Sequence, residues 1–170
     1  VLANTHDVPD APAAGLWSKQ VTHRSDSGGA HVLTWTIGGG TYVMVSELEG
    51  EIITLVPATV GKVTPDATPE EEWKWVVDAT RECFAHSQKK GVRIAVEPLN
   101  RFETYFFNRC AQALVLADAV SPECGVCLDA YHLNMEESNI YDAIRLAGKR
   151  LFDFHVADNN RFAAGLGHLD

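Results

Sequence analysis

An α/β fold with a parallel sheet is what the sequence predicts, on three observations. From residue 68 onward, segments of helical apolar spacing alternate with short β-branched runs; each helix meets a stop signal before the next strand; and helices, not tight turns, join those strands. Strands linked in this way pair in parallel through right-handed crossovers.

Residues 1–40 carry no firm assignment. His31 to Ile37 has strand character, whereas the surroundings of Pro9, Pro12 and Ser25 to Gly29 read as loops. Tyr42 to Val45 and Ile52 to Val56 read as strands about a Gly50 turn, and Pro57, Gly61 and Pro65 mark 57–67 as a long loop. Thr68, Pro69 and Glu71 then supply an N-cap, a first-turn proline and a capping-box glutamate. They start a helix over about residues 69–90, with Trp73, Val76, Val77, Thr80 and Phe84 on one face and Gly91 at its end. Val92 to Glu97 is the next strand. Asn108 is expected to cap a second helix through Val120, with Ala111, Leu114, Val115 and Ala119 apolar and Ser121-Pro122 as its stop. Gly125 to Asp129 follows as a strand. Ser138 or Asn139 starts a third helix, in which Ile140, Ala143, Ile144 and Ala147 share a face, and Gly148 closes it before the strand Leu151 to Val156. The expected organisation is thus an unassigned segment 1–40 and an α/β domain over 41–170.

Composition narrows the function. A chain of 170 residues makes one ordinary domain, and 46% apolar with 22% charged residues is a globular balance. A formal charge of −9 with no basic run argues against nucleic acid as a partner, and no apolar stretch reaches the length of a membrane span. The expected location is cytoplasmic. Four cysteines are too few and too clustered for a disulfide framework, and Cys124 and Cys127 read as half-buried thiols in preference to a zinc site. Val1 at one end and the Gly-His-Leu-Asp170 run at the other suggest a segment of a longer protein.

Strand alternation turns the layout into chemistry. Val92, Ile94 and Val96 share one face, as do Val126 and Leu128, and as do Phe152, Phe154 and Val156; these are expected to face the helices. The opposite face carries Arg93, Ala95 and Glu97, then Gly125, Cys127 and Asp129, then Leu151, Asp153 and His155. Three consecutive parallel strands therefore place Glu97, Asp129 and His155 at their carboxyl ends, where α/β sheets and barrels bind ligands. Two carboxylates and an imidazole converging in one cavity would repel and lose hydration unless a divalent cation joined them, and oxygen-rich ligation suits manganese or magnesium. The plainer reading ends each strand in solvent.

Glu97-Pro-Leu-Asn-Arg-Phe-Glu103, Leu128-Asp-Ala-Tyr-His132, Phe154-His-Val-Ala-Asp-Asn-Asn-Arg161 and Gly165-Leu-Gly-His-Leu-Asp170 occur in one order that resembles the ketose 3-epimerase family, among the xylose-isomerase-like (β/α)₈ TIM barrels. The similarity spans about residues 41–170. It implies a divalent metal, Mn²⁺ first with Co²⁺ or Mg²⁺ as alternatives, and epimerisation of a free ketose at C3 through an enediolate. It also implies Glu97, Asp129 and His155 as metal ligands, Glu97 as a catalytic base, and Glu103, His132 and Arg161 as substrate contacts. Only four to five βα units of such a barrel are expected here, since a complete one takes about 250 residues. The family's last strand, with its second catalytic glutamate, would lie beyond Asp170, so the activity is expected of a longer parent. Two other readings stay open: an aldose-ketose or hydroxypyruvate-type isomerase of the same superfamily, and a non-catalytic barrel fragment that self-associates. A homo-oligomer stays open as well. Asp153 is either a partner of His155 or a polar group of the barrel interior.

Overall fold

The computed structural model describes strands at 22–25, 31–37 and 40–46 and the continuous stretch 52–169. The expected loops around Pro9 and Pro12 and over 26–29, the Gly50 turn, and Asp170 lie outside the described residues. Among the described residues, seven strands form one sheet in chain order: β1 (Thr22–Ser25), β2 (His31–Ile37), β3 (Gly40–Ser46), β4 (Ile52–Leu55), β5 (Arg93–Val96), β6 (Gly125–Asp129) and β7 (Leu151–His155). β4 through β7 pair in parallel, as the intervening helices require, but β1, β2, β3 and β4 pair antiparallel. The run at Tyr42 to Val45 is therefore a strand without being a further barrel unit. The parallel array has four members, the lower end of the expected count. No described helix is long and apolar enough to cross a membrane.

Local chemistry sets the helix boundaries. In α1 (Pro69–Gln88) the Thr68 hydroxyl accepts from the Glu71 N–H at 3.3 Å while the Glu71 carboxylate accepts from the Thr68 N–H at 3.1 Å, the reciprocal box expected. Gly91, at φ +68°, turns the chain into β5. The start of α2 (Cys110–Val120) differs from expectation. Gln112 Oε1 accepts from the Asn108 and Arg109 N–H groups at 3.0 Å each, which frees the Asn108 side chain to donate to the Leu99 and Thr104 carbonyls at 2.8 and 2.9 Å. Asn108 thus closes the loop after β5 instead of capping the helix. α3 (Ala130–Glu136) was not foreseen; α4 (Ile140–Ala147) starts from Asn139, whose Oδ1 accepts from the Tyr141 and Asp142 N–H groups.

The helices cover one side of the parallel strands. Ile94, Val96, Val126 and Leu128 meet Val76, Val77, Ala113, Leu116, Ala117, Leu133, Ala143 and Ala147 in one core. The buried face of α2 is Cys110, Ala113, Leu116 and Ala117, while Val115 is exposed, so the expected face was rotated. Apolar residues lie nearly all around this helix, and only its packing against α4 and β6 selects a face.

A register shift corrects the third strand. Val126 pairs with Leu151 but Cys127 pairs with Asp153, leaving Phe152 as the extra residue of a bulge. Leu151 consequently packs on the helix-side core, whereas the Phe152 ring lies on the other side, under the Arg93 guanidinium at 4.9 Å and against the Cα of Gly125. A side chain at Gly125 would run into that ring, which accounts for a glycine in this strand. Beyond the bulge the expected alternation resumes: Phe154 packs toward the core while Asp153 and His155 face the site. Val156 lies past the strand and is exposed.

Candidate metal centre

Each of the three expected ligands is delivered by a strand end. The Glu97 N–H donates to the Leu55 carbonyl at 2.9 Å, which continues the parallel ladder one residue past β5; Asp129 and His155 are the last residues of β6 and β7 and lie in register. His155 Nδ1 is 3.4 Å from Glu97 Oε1 and 4.0 Å from Asp129 Oδ2. Glu97 and Asp129 are buried, at 7% and 6% exposure, so the plainer reading of strand ends in solvent fails for both carboxylates, whereas the His155 side chain is 43% exposed.

The surrounding groups orient this set. Asp129 caps α3 through Oδ1, which accepts from the Tyr131 N–H at 2.8 Å, so Oδ2 is left to face the site. His155 Nε2 is 3.4 Å from Asp153 Oδ2. A carboxylate beside the outer ring nitrogen favours the N–H there and would leave Nδ1 open to a cation. Asp153 is thus the partner of His155, the first of the two roles left open by the sequence. Hydrogen bonds with Cys127 and with Glu97 raise His155 to about 11 against the effect of burial. Positive charge is favoured at this position. Two buried carboxylates facing one imidazole through Nδ1 therefore fit a divalent ion.

A second cluster adjoins the first. The Asn100 N–H donates to His132 Nδ1 at 3.2 Å, and Asn100 Nδ2 lies 2.8 Å from the same nitrogen and 2.9 Å from Glu103 Oε1. Because Nδ1 accepts from a backbone N–H, the His132 proton sits on Nε2. Burial, outweighing the nearby carboxylates, lowers the pKa of His132 and favours the neutral ring. Donor atoms of Glu97, Asp129 and His132 lie within 4.8 Å of one another, but a protonated Nε2 is a hydrogen-bond donor, not a ligand. The geometry thus separates two histidines of similar placement.

Arg161 completes this cluster. Its guanidinium donates to Glu103 Oε1 at 2.6 Å, lies 3.8 Å from Asp129 Oδ2, and stacks over the Tyr131 ring at 4.0 Å. It is held from behind by Asp158, which is 1% exposed. The Asp158 carboxylate accepts from the N–H groups of Asn159, Gly165 and Leu169 at 2.8, 2.9 and 3.0 Å, and its carbonyl accepts from the Arg161 N–H at 2.9 Å. Arg161 itself has φ +67°, a left-handed conformation uncommon for arginine. Asp158→Ala is expected to leave Mn²⁺ affinity within about threefold, because Asp158 touches no ligand, while protease cleavage within 158–169 accelerates by about tenfold or more. Limited proteolysis alongside a metal titration checks both halves.

The structure brings Glu97, Asp129 and His155 together, and Glu103, His132 and Arg161 beside them. Sequence reasoning missed Asn100, Tyr131 and Asp158, although the Asp158-Asn159-Asn160 run followed by Gly165 and Gly167 is a loop-forming signal that could have found the last. It also read Cys124 and Cys127 as half-buried thiols, whereas both are fully buried and Cys127 Sγ lies 3.6 Å from His155 Nε2. The side chain of His168 is exposed, and the part of that residue that serves the loop is its N–H, donating to Asn159 Oδ1 at 3.0 Å.

Comparison with known proteins places this fold in a family. The xylose isomerase-like TIM barrel family matches residues 41–170, and the chain belongs to that family. Among relatives it is similar to the D-psicose 3-epimerase of Enterocloster bolteae (39% identity over 90 residues, 52% of this chain and 30% of that protein). It is also similar to the probable ketose 3-epimerase of Synechocystis sp. (41% over 110 residues, 64% and 38%). Among solved structures, D-allulose 3-epimerase from Methylomonas sp. in complex with D-allulose superposes with a TM-score of 0.63 at 30% identity, covering 69% of this chain and 42% of that one. The chain thus spans well under half the length of these relatives.

Proposed function

We propose that Glu97, Asp129 and His155 hold a divalent cation, Mn²⁺ before Co²⁺ or Mg²⁺, in a protein that epimerises a free ketose at C3. The observation that carries this reading is His155 Nδ1 facing Glu97 and Asp129 with Asp153 behind the ring. The cation supplies Lewis-acid polarisation of the ketose oxygens, without which a proton next to a carbonyl is too weakly acidic for a carboxylate. Glu97 removes the C3 proton and keeps it as a carboxylic acid, while the electron pair spreads toward the C2 oxygen as an enediolate. His132 presents Nε2–H as a neutral donor to a sugar oxygen, and Glu103 and Arg161 hold hydroxyl groups beside it. Asn100 keeps the His132 and Glu103 side chains in register by bonding both. Inversion needs a proton returned to the opposite face; no described residue is assigned to that step, and the resemblance assigns it to a glutamate on a further strand. The ketose 3-epimerases among the relatives support C3 of a ketose, while a 3-dehydro-D-guloside 4-epimerase of Escherichia coli at 31% identity stands beside them; a cytoplasmic sugar enzyme remains the reading for the parent protein.

The test follows solvent hydrogen. The full-length parent, loaded with Mn²⁺ and given D-psicose in D₂O, is expected to place deuterium at C3 and yield the C3 epimer. Carbonyl migration without inversion at C3 would instead establish an aldose-ketose isomerase. No turnover, together with metal-independent self-association of the chain in sedimentation, would establish the non-catalytic fragment.

A further inference from the structure

The oxygen-rich reading leaves one buried group of the site without a role. β6 places Cys127 on the same side of the sheet as Asp129, and the bulge in β7 brings Asp153 opposite Cys127 and His155 opposite Asp129. Cys127 Sγ therefore stands 3.6 Å from His155 Nε2 and 3.8 Å from Nδ1, and donor atoms of Glu97, Cys127 and His155 all lie within 4.8 Å of one another. An ion bound tetrahedrally, with sulfur at about 2.3 Å and nitrogen at about 2.1 Å, holds those two atoms roughly 3.6 Å apart, and an oxygen-nitrogen pair roughly 3.4 Å apart. The separations at Nδ1 are 3.8 Å to Cys127 and 3.4 Å to Glu97. The sulfur faces the carboxylates, in contrast to the Cys110 and Cys124 side chains, which belong to the core under the helices.

We propose that Cys127 is a sulfur ligand of this centre, giving it a second donor set, Glu97, Cys127 and His155, that takes a thiophilic divalent cation of the Zn²⁺, Co²⁺ or Cd²⁺ class. This rests on the metal reading above and adds to it a selectivity that oxygen donors alone lack. As the cation enters, the Cys127 S–H bond breaks, its proton passes to water, and the sulfur lone pair forms the metal–sulfur bond; no electron is transferred. Because Glu97 and His155 serve both sets, a thiophilic ion competes with Mn²⁺ for one position.

Cobalt loading of the chain reads the sulfur directly. The wild type with Co²⁺ is expected to show a thiolate-to-cobalt charge-transfer band in the near ultraviolet, and Cys127→Ser is expected to bind Co²⁺ without it. In competition titrations, Cys127→Ser weakens Cd²⁺ by at least about tenfold and Mn²⁺ by less than about threefold. Bound cobalt without the band, a band that persists in Cys127→Ser, or equal losses for Cd²⁺ and Mn²⁺ would each overturn the proposal. Should the serine variant not fold, a ¹H–¹¹³Cd correlation on the wild type identifies the ligand through the Cys127 β-protons, and its absence from a cadmium-loaded sample is equally decisive. Failure of Mn²⁺ and Co²⁺ alike to bind would sink the metal reading itself. Mn²⁺ binding without a sulfur signal would sink only this inference.

Discussion

Glu97→Gln is expected to weaken Mn²⁺ binding by about 100-fold or more and, in the full-length parent, to lower C3 epimerisation by at least about 10³-fold. The substitution preserves shape and removes charge. Glu97 stands 3.4 Å from His155 Nδ1, and its donor atom falls within 4.8 Å of both Asp129 and Cys127. It shares with His155 a place in both donor sets proposed for the site. A neutral amide is a poorer ligand for a hard cation and cannot accept the C3 proton, so affinity and turnover fall for separate reasons. Isothermal titration with Mn²⁺ separates the first effect. Deuterium exchange at C3 under saturating metal separates the second. A variant that binds Mn²⁺ as tightly as the wild type would remove Glu97 from the ligand set.

The largest loss of stability is expected at Glu136→Ala, about 2–3 kcal/mol in urea denaturation at pH 7. Glu136 lies on α3 at 5% exposure and accepts three bonds from Arg101: from the backbone N–H at 2.7 Å, from Nε at 2.9 Å and from Nη2 at 2.9 Å. This fork ties the 100–103 loop, which carries Asn100 and Glu103, to the helix that carries His132. Removing the carboxylate leaves the Arg101 N–H without its acceptor, while the guanidinium, which is largely exposed, escapes to water. The pH dependence has a definite sign. Burial works against ionisation of Glu136, but the bonds to Arg101 outweigh it and hold the carboxyl below the usual carboxylate range. A folded-state pKa below the unfolded value stabilises the fold above the unfolded value, and that contribution disappears as pH falls through the lowered one. Glu136→Gln is therefore expected to flatten part of the loss of stability of the wild type below about pH 4.5. A stability-pH curve parallel to that of the wild type would show that Glu136 does not couple to folding.

Much of this was legible along the chain because it is local. A capping box needs four consecutive residues, and the Thr68 box stands as read. Strand parity needs only alternate positions, and it put Ile94, Val96, Val126, Leu128 and Phe154 toward the helices and Glu97, Asp129 and His155 toward the site. Where the local pattern is degenerate, reading it fails. The apolar surface of α2 offers several faces, and Leu151-Phe152-Asp153 can run straight or bulge with the same composition. The bulge is decided by β6, where Gly125 leaves room for the Phe152 ring. Nor does any spacing reveal that Asn100 reaches His132, that Asp158 gathers the N–H groups of a loop eleven residues long, or that Cys127 turns toward the imidazole of a neighbouring strand.

Alternation along the chain was enough to put Glu97, Asp129 and His155 on one face at the ends of β5, β6 and β7, while the last residue of each strand and the sides taken by Leu151 and Phe152 needed the partner strand. Which nitrogen of His132 accepts from Asn100, which oxygen of Asp129 the α3 cap leaves free and what supports Arg161 follow only from contacts made in the folded chain. Those properties depend on hydrogen bonds between segments that meet only when the sheet forms, and a proton's position on a ring is set by the partner it finds there.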